Sequence, residues 1–208
     1  MNRRRVPIIC NLQVNLQYLK YPELYIYVDL YELTPAFCIH QYMQYKQLGM
    51  IHKENDICLI IDEAQRKFNC REYNNPDRRS WLDFFSIHRH FLFSVILSCQ
   101  WDSMLDKQIR CLVEMEVKHR RFWYLGWIGK AAEIILMRKL FFRIESYYGL
   151  HQVVYKQISF GGKRLYRLYN THEIIIQDLP KKLVENLKEN CIDIDLLEEK
   201  KEEEKKNA

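Results

Sequence analysis

Residues 57–63 read Ile-Cys-Leu-Ile-Ile-Asp-Glu, a short apolar run that stops abruptly at two carboxylates. A strand buried on both faces reads as continuous hydrophobics, so Cys58 to Ile61 fit the interior of a parallel sheet. Asp62 and Glu63 then fall at the strand's carboxyl end, the edge where open α/β sheets bind ligands. There, one carboxylate can hold a magnesium ion through its waters while the next orients or deprotonates an attacking water. The competing reading is a core strand followed by the acidic first turn of a helix.

Three other groups of residues carry chemistry. Gln100 follows the apolar run Phe93–Cys99, where a side-chain amide could touch a phosphate or the attacking water; alternatively it simply caps a strand. His88-Arg89-His90 offers positive charge to phosphate or nucleic acid, or places cations at a helix C-terminus. Lys118-His119-Arg120-Arg121 runs into Phe122, Trp123 and Tyr124. Cations that track phosphates and aromatics that stack on bases suit single-stranded nucleic acid, which makes Lys118, Arg120, Arg121 and Trp123 candidates; the competing reading is a strand with an aromatic core face. A zinc site from Cys70, His88 and His90 fits no usual ligand spacing.

The elements that must position these residues follow from periodicity and caps. Strands are predicted at 6–12, 24–30 and 57–61. Thr34-Pro35 opens a helix as N-cap and first residue, running to about Leu48 and stopped by Gly49. Residues 65–76 read as a polar, mobile segment. A helix over 77–91 carries Trp81, Phe84, Phe85 and His88 on one side, and strand 93–99 follows. A short helical turn near 106–112 leads to a strand from 113 to about 118. Strands separated by helices indicate an α/β sheet. Beyond residue 120 the pattern changes: 153–159 and 164–169 flank Gly161-Gly162 as a hairpin, 173–179 is a further strand, and Pro180 starts a final helix. The expected organisation is a core over 1–120, a β-rich extension over 121–190 and a charged tail over 191–208.

Bulk properties set looser bounds. The 208 residues suffice for one substantial core. A net charge of +5 permits an anionic partner without demanding one. The seven cysteines are odd in number and form no C-x-x-C pair, which argues for reduced thiols in a cytosolic compartment. No signal peptide is visible, and the most apolar stretch, 131–142, is interrupted by charges and too short to span a bilayer.

Taken in order, several blocks resemble the zonula occludens toxin family, which includes the assembly ATPases of filamentous phages. They are Leu59-Ile-Ile-Asp-Glu-Ala-Gln-Arg66, Phe85-Ser-Ile-His-Arg-His90, Val95-Ile-Leu-Ser-Cys-Gln100, Leu105-Asp-Lys-Gln-Ile-Arg-Cys-Leu-Val-Glu114 and Leu168-Tyr-Asn-Thr-His-Glu173. The resemblance implies a RecA-like P-loop NTPase fold, ATP and Mg2+ as cofactors, and a role in extruding single-stranded phage DNA at the host inner membrane. On it, Asp62 is the Walker B carboxylate at the metal, Glu63 the catalytic glutamate and Gln100 the sensor. Arg89, Arg110 and Arg120 are candidates for reaching a neighbour's nucleotide in a ring. The implied partners are further copies or full-length subunits, phage assembly proteins and single-stranded phage DNA. The implied location is the cytoplasm or the cytoplasmic face of the inner membrane, with membrane contact only through partners. No residue pattern supports toxin activity.

One departure from the family matters. The pattern G-x-x-x-x-G-K-[ST] does not occur in these residues, and the chain opens where the family's second strand is expected, at Arg5-Val-Pro-Ile-Ile-Cys-Asn11. Gly126-Trp-Ile-Gly129-Lys130 has too few residues between its glycines, and Gly161-Gly162-Lys163 is expected in a hairpin turn, so neither can cradle phosphates. The expected fold is therefore the RecA-like sheet without its first strand and phosphate loop, with a hairpin-rich C-terminal extension. Strands 57–61 and 93–99 must then pair directly, leave a gap or borrow a strand. The chain alone is expected to bind ATP poorly, and a truncated gene product or misplaced start codon is the expected explanation.

Overall fold

A computed structural model describes residues 5–71, 77–124, 126–136, 139–150, 152–160 and 167–168. The chain divides into two compact units, Met1–Tyr169 and Asn170–Ala208, and every described residue lies in the first.

The first sheet is parallel, in the order β2-β1-β3-β4, with β1 at Ile8–Cys10, β2 at Tyr25–Tyr27, β3 at Ile57–Ile61 and β4 at Phe93–Leu97. Between β2 and β3 runs helix α1, Pro35–Gln47. It starts where expected, because the Thr34 hydroxyl accepts the Phe37 N–H at 3.2 Å and proline needs no donor at the first position. It ends at Gly49, whose φ of +64° is costly for any residue with a Cβ. Helix α2, Asp77–Ile87, joins β3 to β4 and passes into a 3-10 turn at His88–Phe91. The short helix α3, Lys107–Cys111, is capped by Asp106, which accepts the Gln108 N–H at 2.7 Å.

The core forms on one face of this sheet. Ile57, Leu59 and Ile61 cluster with Cys38, Tyr42 and Tyr45 of α1 and Trp81, Phe84 and Phe85 of α2. Cys58 and Ile60 point the other way and are only half-buried, so β3 is not buried on both faces as its unbroken apolar run suggests. The reason is that both long helices contribute to the same cluster.

β3 and β4 pair directly, in continuous register from Ile57↔Phe93 to Ile61↔Leu97. Of the three arrangements open to these strands, direct pairing is the one adopted, and no gap separates them. Of the segment 65–76 expected to be mobile, residues 65–71 pack against the core, and 72–76 lie outside the described residues. Ala64, Gln65 and Phe68 are buried, Phe68 packs edge-on against Trp81, and Asn69 bridges Leu105.

The second sheet is antiparallel, in the order β5-β6-β7, with β5 at Met115–Arg121, β6 at Leu140–Tyr147 and β7 at Val153–Phe160. β5 therefore does not extend the parallel sheet, as strand–helix alternation predicts. Its sequence Met-Glu-Val-Lys-His-Arg-Arg is too charged for a two-sided core and is mostly exposed. Among the described residues β7 pairs with β6, a strand the sequence pattern did not reveal. Arg167 and Leu168 are helical rather than extended. The Gly161-Gly162 turn, the strand at 173–179 and the final helix lie outside the described residues. Helix α4, Trp127–Leu136, connects β5 to β6.

Candidate functional site

In the order β2-β1-β3-β4, the chain leaves β1 toward β2 and leaves β3 toward β4. The strand connections thus diverge between the carboxyl ends of β1 and β3, the switch point at which open α/β sheets present a crevice. Asn11 follows β1 at this place, and Asp62 and Glu63 follow β3.

Asp62 is held through its backbone. Its N–H donates to Asn11 Oδ1 at 2.7 Å, and Asn11 Nδ2 donates to its carbonyl at 3.0 Å. Its carboxylate is half-buried and close enough to Cys10 to act on the thiol. Burial pushes that thiol up from its ordinary value, and the negative charge of Asp62 adds to the effect, while N–H donors such as Leu12 oppose it. The chain after β1 is fixed as well, since Leu12 N–H donates to Cys10 Sγ at 3.3 Å and the Tyr25 hydroxyl donates to the Leu12 carbonyl.

Glu63 is exposed and sits in left-handed backbone at φ 48°, ψ 44°, an uncommon conformation for a residue with a side chain. Its carboxylate lies 3.3 Å from Arg66 Nη1, and the Tyr31 hydroxyl engages the same guanidinium. The left-handed turn brings the Ala64 N–H to the Ser98 carbonyl at 2.9 Å, while Ser98 N–H donates to the Ile61 carbonyl at 2.9 Å. These bonds tie the ends of β3 and β4 together. Gln100, two residues beyond Ser98, is exposed at the same edge. The structure thus brings Asp62, Glu63 and Gln100 to one edge of one sheet.

Behind the edge, Lys67 is more than half-buried, donates to the Leu30 carbonyl at 2.7 Å and lies over the Trp81 ring. Desolvation lowers its pKa, although Asp77 and Asp29 pull the other way.

A magnesium ion held mainly through water needs one or two carboxylates and substrate phosphates rather than an all-protein cage. The Asp62 carboxylate, fixed at its peptide and open at the switch point, fits that requirement. Glu63 fits less directly, because Arg66 already pairs with it. Among the described residues no group of three or more His, Cys, Asp or Glu side chains could hold a metal by itself. His88 of the weighed zinc set has Nδ1 at 2.5 Å from the Phe85 carbonyl.

The arginine candidates lie in different places. Arg89 precedes β4, at the opposite end of that strand from Gln100, and pairs with Glu114 at 2.5 Å. Arg110 is on α3, and its Nε is buried without a hydrogen-bond partner. Arg120 is exposed on β5.

The nucleic-acid candidates divide by strand alternation. Lys118 and Arg120 share one face of β5, and Arg121 is on the other. Arg121 and Lys130 both approach the Trp123 ring, at 5.2 and 5.5 Å from its centroid. The cross-strand register adds Lys156, which faces Ile144 in the row that begins at Lys118. Gly129 and Lys130 lie within α4, so the Gly126 to Lys130 segment forms a helical turn and not a phosphate loop.

Sequence reasoning missed Asn11, Arg66 and Lys156. Asn11 carried a usable signal, a polar side chain directly after an apolar strand, the same signal that singled out Asp62. Arg66 and Lys156 depended on a turn and on a strand register that no local pattern specifies.

The family model of the zonular occludens toxin (Zot) matches residues 10–144, more than half of the chain. Among solved structures the chain is similar to the N-terminal domain of zonular occludens toxin from Neisseria meningitidis, with 19% identity and a TM-score of 0.46 over 81% of this chain and 82% of that one. It is also similar to the genome packaging NTPase of Sulfolobus turreted icosahedral virus 2 in complex with ATP-gammaS, with 16% identity and a TM-score of 0.43 over 74% of this chain and 82% of that one. No curated protein sequence matches. The family match runs from Cys10 into the second strand of the antiparallel sheet, ending at Ile144, and takes in Asn11, Asp62, Glu63 and Gln100; this chain belongs to the zonular occludens toxin (Zot) family.

Proposed function

We propose that this chain is a Zot-type phage-morphogenesis motor ATPase subunit that assists assembly and extrusion of a filamentous phage with single-stranded DNA. The observation that carries the reading is the Asp62–Glu63 pair at the carboxyl edge, with the Asp62 peptide clamped by Asn11 and Gln100 at the same edge. In this reading Asp62 holds Mg2+ through water, Glu63 orients the attacking water after leaving Arg66, and Gln100 contacts the terminal phosphate. One of the three candidates Arg89, Arg110 and Arg120 reaches the nucleotide of a neighbouring copy in a ring.

Because G-x-x-x-x-G-K-[ST] does not occur in these 208 residues, the chain alone binds ATP weakly and turns it over negligibly in this proposal. It works with subunits that carry the loop and with phage assembly proteins, at the cytoplasmic face of the host inner membrane. Membrane contact comes through partners; among the described residues no helix is long and apolar enough to cross a membrane.

The test is ATPase activity of the chain alone and co-assembled with a Zot-family subunit bearing the phosphate loop. Negligible turnover alone, and turnover in the mixture that Glu63→Gln in this chain reduces, are expected. A mixture indifferent to Glu63→Gln would remove the catalytic role.

A second reading, a non-catalytic module that binds nucleic acid or other subunits, is favoured by the second sheet. Lys118 and Arg120 are exposed on one face of β5, where Lys118 also pairs with Glu116 at 3.0 Å, and Lys156 lies in the same row across the sheet on β7. Here the expected activity is salt-sensitive binding of single-stranded DNA without any nucleotide requirement.

A further inference from the structure

The bond between Asp62 and Asn11 is not an ordinary rung of the sheet. In the β1–β3 ladder the Cys58 N–H donates to the Pro7 carbonyl at 2.9 Å, and donors recur every second residue. Two steps on, the ladder would bring the Asp62 N–H to the backbone carbonyl of Asn11. It donates to the Asn11 side chain instead, and the same amide returns a bond to the Asp62 carbonyl. A carboxamide is a peptide group on a short arm, so it offers one acceptor and one donor in peptide geometry. β1 can therefore end at Cys10 and turn away while the peptide of Asp62 stays as fixed as one inside the sheet.

Leu12, Cys10 and Tyr25 hold the turn from which the amide projects. The clamp leaves the Asp62 carboxylate free, because both bonds go to the backbone.

We propose that Asn11 is the positioning residue for Asp62: it fixes the direction in which that carboxylate meets a divalent cation at the switch point. The proposal rests on the reading of Asp62 as the metal carboxylate. Replacing an outer partner that orients a metal ligand typically weakens metal binding about 10–100-fold.

The probe is Mn2+ with inorganic triphosphate, which supplies the phosphate oxygens that the metal reading requires. It is added substoichiometrically to the full chain and followed by paramagnetic broadening of amide NMR signals, which detects weak sites in fast exchange. Broadening centred on residues 11–12 and 61–64 is expected, and Asp62→Asn should abolish it. Asn11→Ala should weaken the apparent affinity about tenfold, with the rest of the spectrum and the unfolding temperature retained. Its Asp62 amide should exchange with solvent faster than that of the native chain. If the alanine variant does not fold, Asn11→Gln keeps the amide with one added methylene and should shift the affinity in the same direction.

The two ideas separate cleanly. No broadening near Asp62 in the native chain overturns the metal reading and this role with it. Broadening that is lost in Asp62→Asn but has the same affinity in the folded Asn11 variant overturns the role of Asn11 alone.

Discussion

Glu63 and Arg66 form an ion pair at 3.3 Å across a turn whose first residue is in the left-handed region, with Glu63 at φ 48°. Left-handed backbone costs a residue with a Cβ roughly 1–2 kcal/mol, and asparagine and glycine tolerate it better. The turn persists because the bonds among Ile61, Ala64 and Ser98 dictate it. Glu63→Asn is expected to unfold at a urea concentration no lower than the native chain, and up to about 1 kcal/mol more stable. A clearly lower midpoint would show that Glu63 supports the fold and is not a strained functional residue. Arg66→Ala should change stability by under about 1 kcal/mol, because exposed ion pairs contribute little.

The pair that matters for stability is elsewhere. Arg78 Nε donates to Asp106 Oδ2 at 2.7 Å, the Asp106 side chain is buried, and the same carboxylate caps α3. Burial opposes ionisation of Asp106, but Arg78 and the Gln108 and Ile109 N–H groups outweigh it and hold the carboxyl below its ordinary value of 3.8. A depressed carboxyl pKa stabilises the fold above the unfolded value of about 4, and that contribution is lost as pH falls through the folded value. Asp106→Ala should cost about 2 kcal/mol at neutral pH, since it removes a short ion pair to a buried carboxylate and the cap of α3. Asp106→Asn should flatten the stability profile below about pH 4; an unchanged acid limb would assign that limb to other carboxylates.

The cysteines should separate by reactivity. Burial pushes the Cys38 thiol up to about 12, against the opposing charge of Lys67, and burial raises Cys58 to about 11. Cys111 is exposed. Alkylation at neutral pH followed by peptide mass mapping should find Cys111 modified while Cys38 and Cys58 stay intact until denaturant is added. Fast labelling of Cys38 in the native protein would mean that the α1 side of the core opens readily.

The nucleic-acid reading makes a face-specific prediction. Lys118→Ala and Arg120→Ala should each lower single-stranded DNA affinity and reduce the slope of log affinity against log salt by about 1. Arg121→Ala, on the opposite face of β5, should have a smaller effect on that slope. Equal effects from all three would point to diffuse attraction, and binding unaffected by salt would remove the reading.

Much of the fold was legible because its signals are local. The Ile57–Ile61 strand, the Thr34-Pro35 start, the Gly49 stop and the Asp106 turn each depend on a few neighbouring residues. The edge of the candidate site was legible for the same reason, as an apolar strand running into two carboxylates, whereas the strand before Gln100 stops three residues earlier, at Leu97. The second sheet was not. Within Leu140–Tyr147 only Phe142-Arg-Ile-Glu145 alternates strictly, and the full eight-residue strand depends on pairing on both sides, with β5 and β7.

By itself, then, the sequence determined that Asp62 and Glu63 follow one apolar strand and that Gln100 comes after another, which ends at Leu97 rather than at Cys99 as expected, because chemical type and periodicity are written in order along the chain. The tertiary structure decided what stands next to them. Strand order placed Asn11 beside Asp62, a left-handed turn paired Glu63 with Arg66, and direct pairing of β3 with β4 set Gln100 at the same edge. Those neighbours are 51 residues away for Asn11 and Asp62, and contacts of that separation follow from which strands pair, a choice made by the packing of the whole sheet rather than by any local pattern.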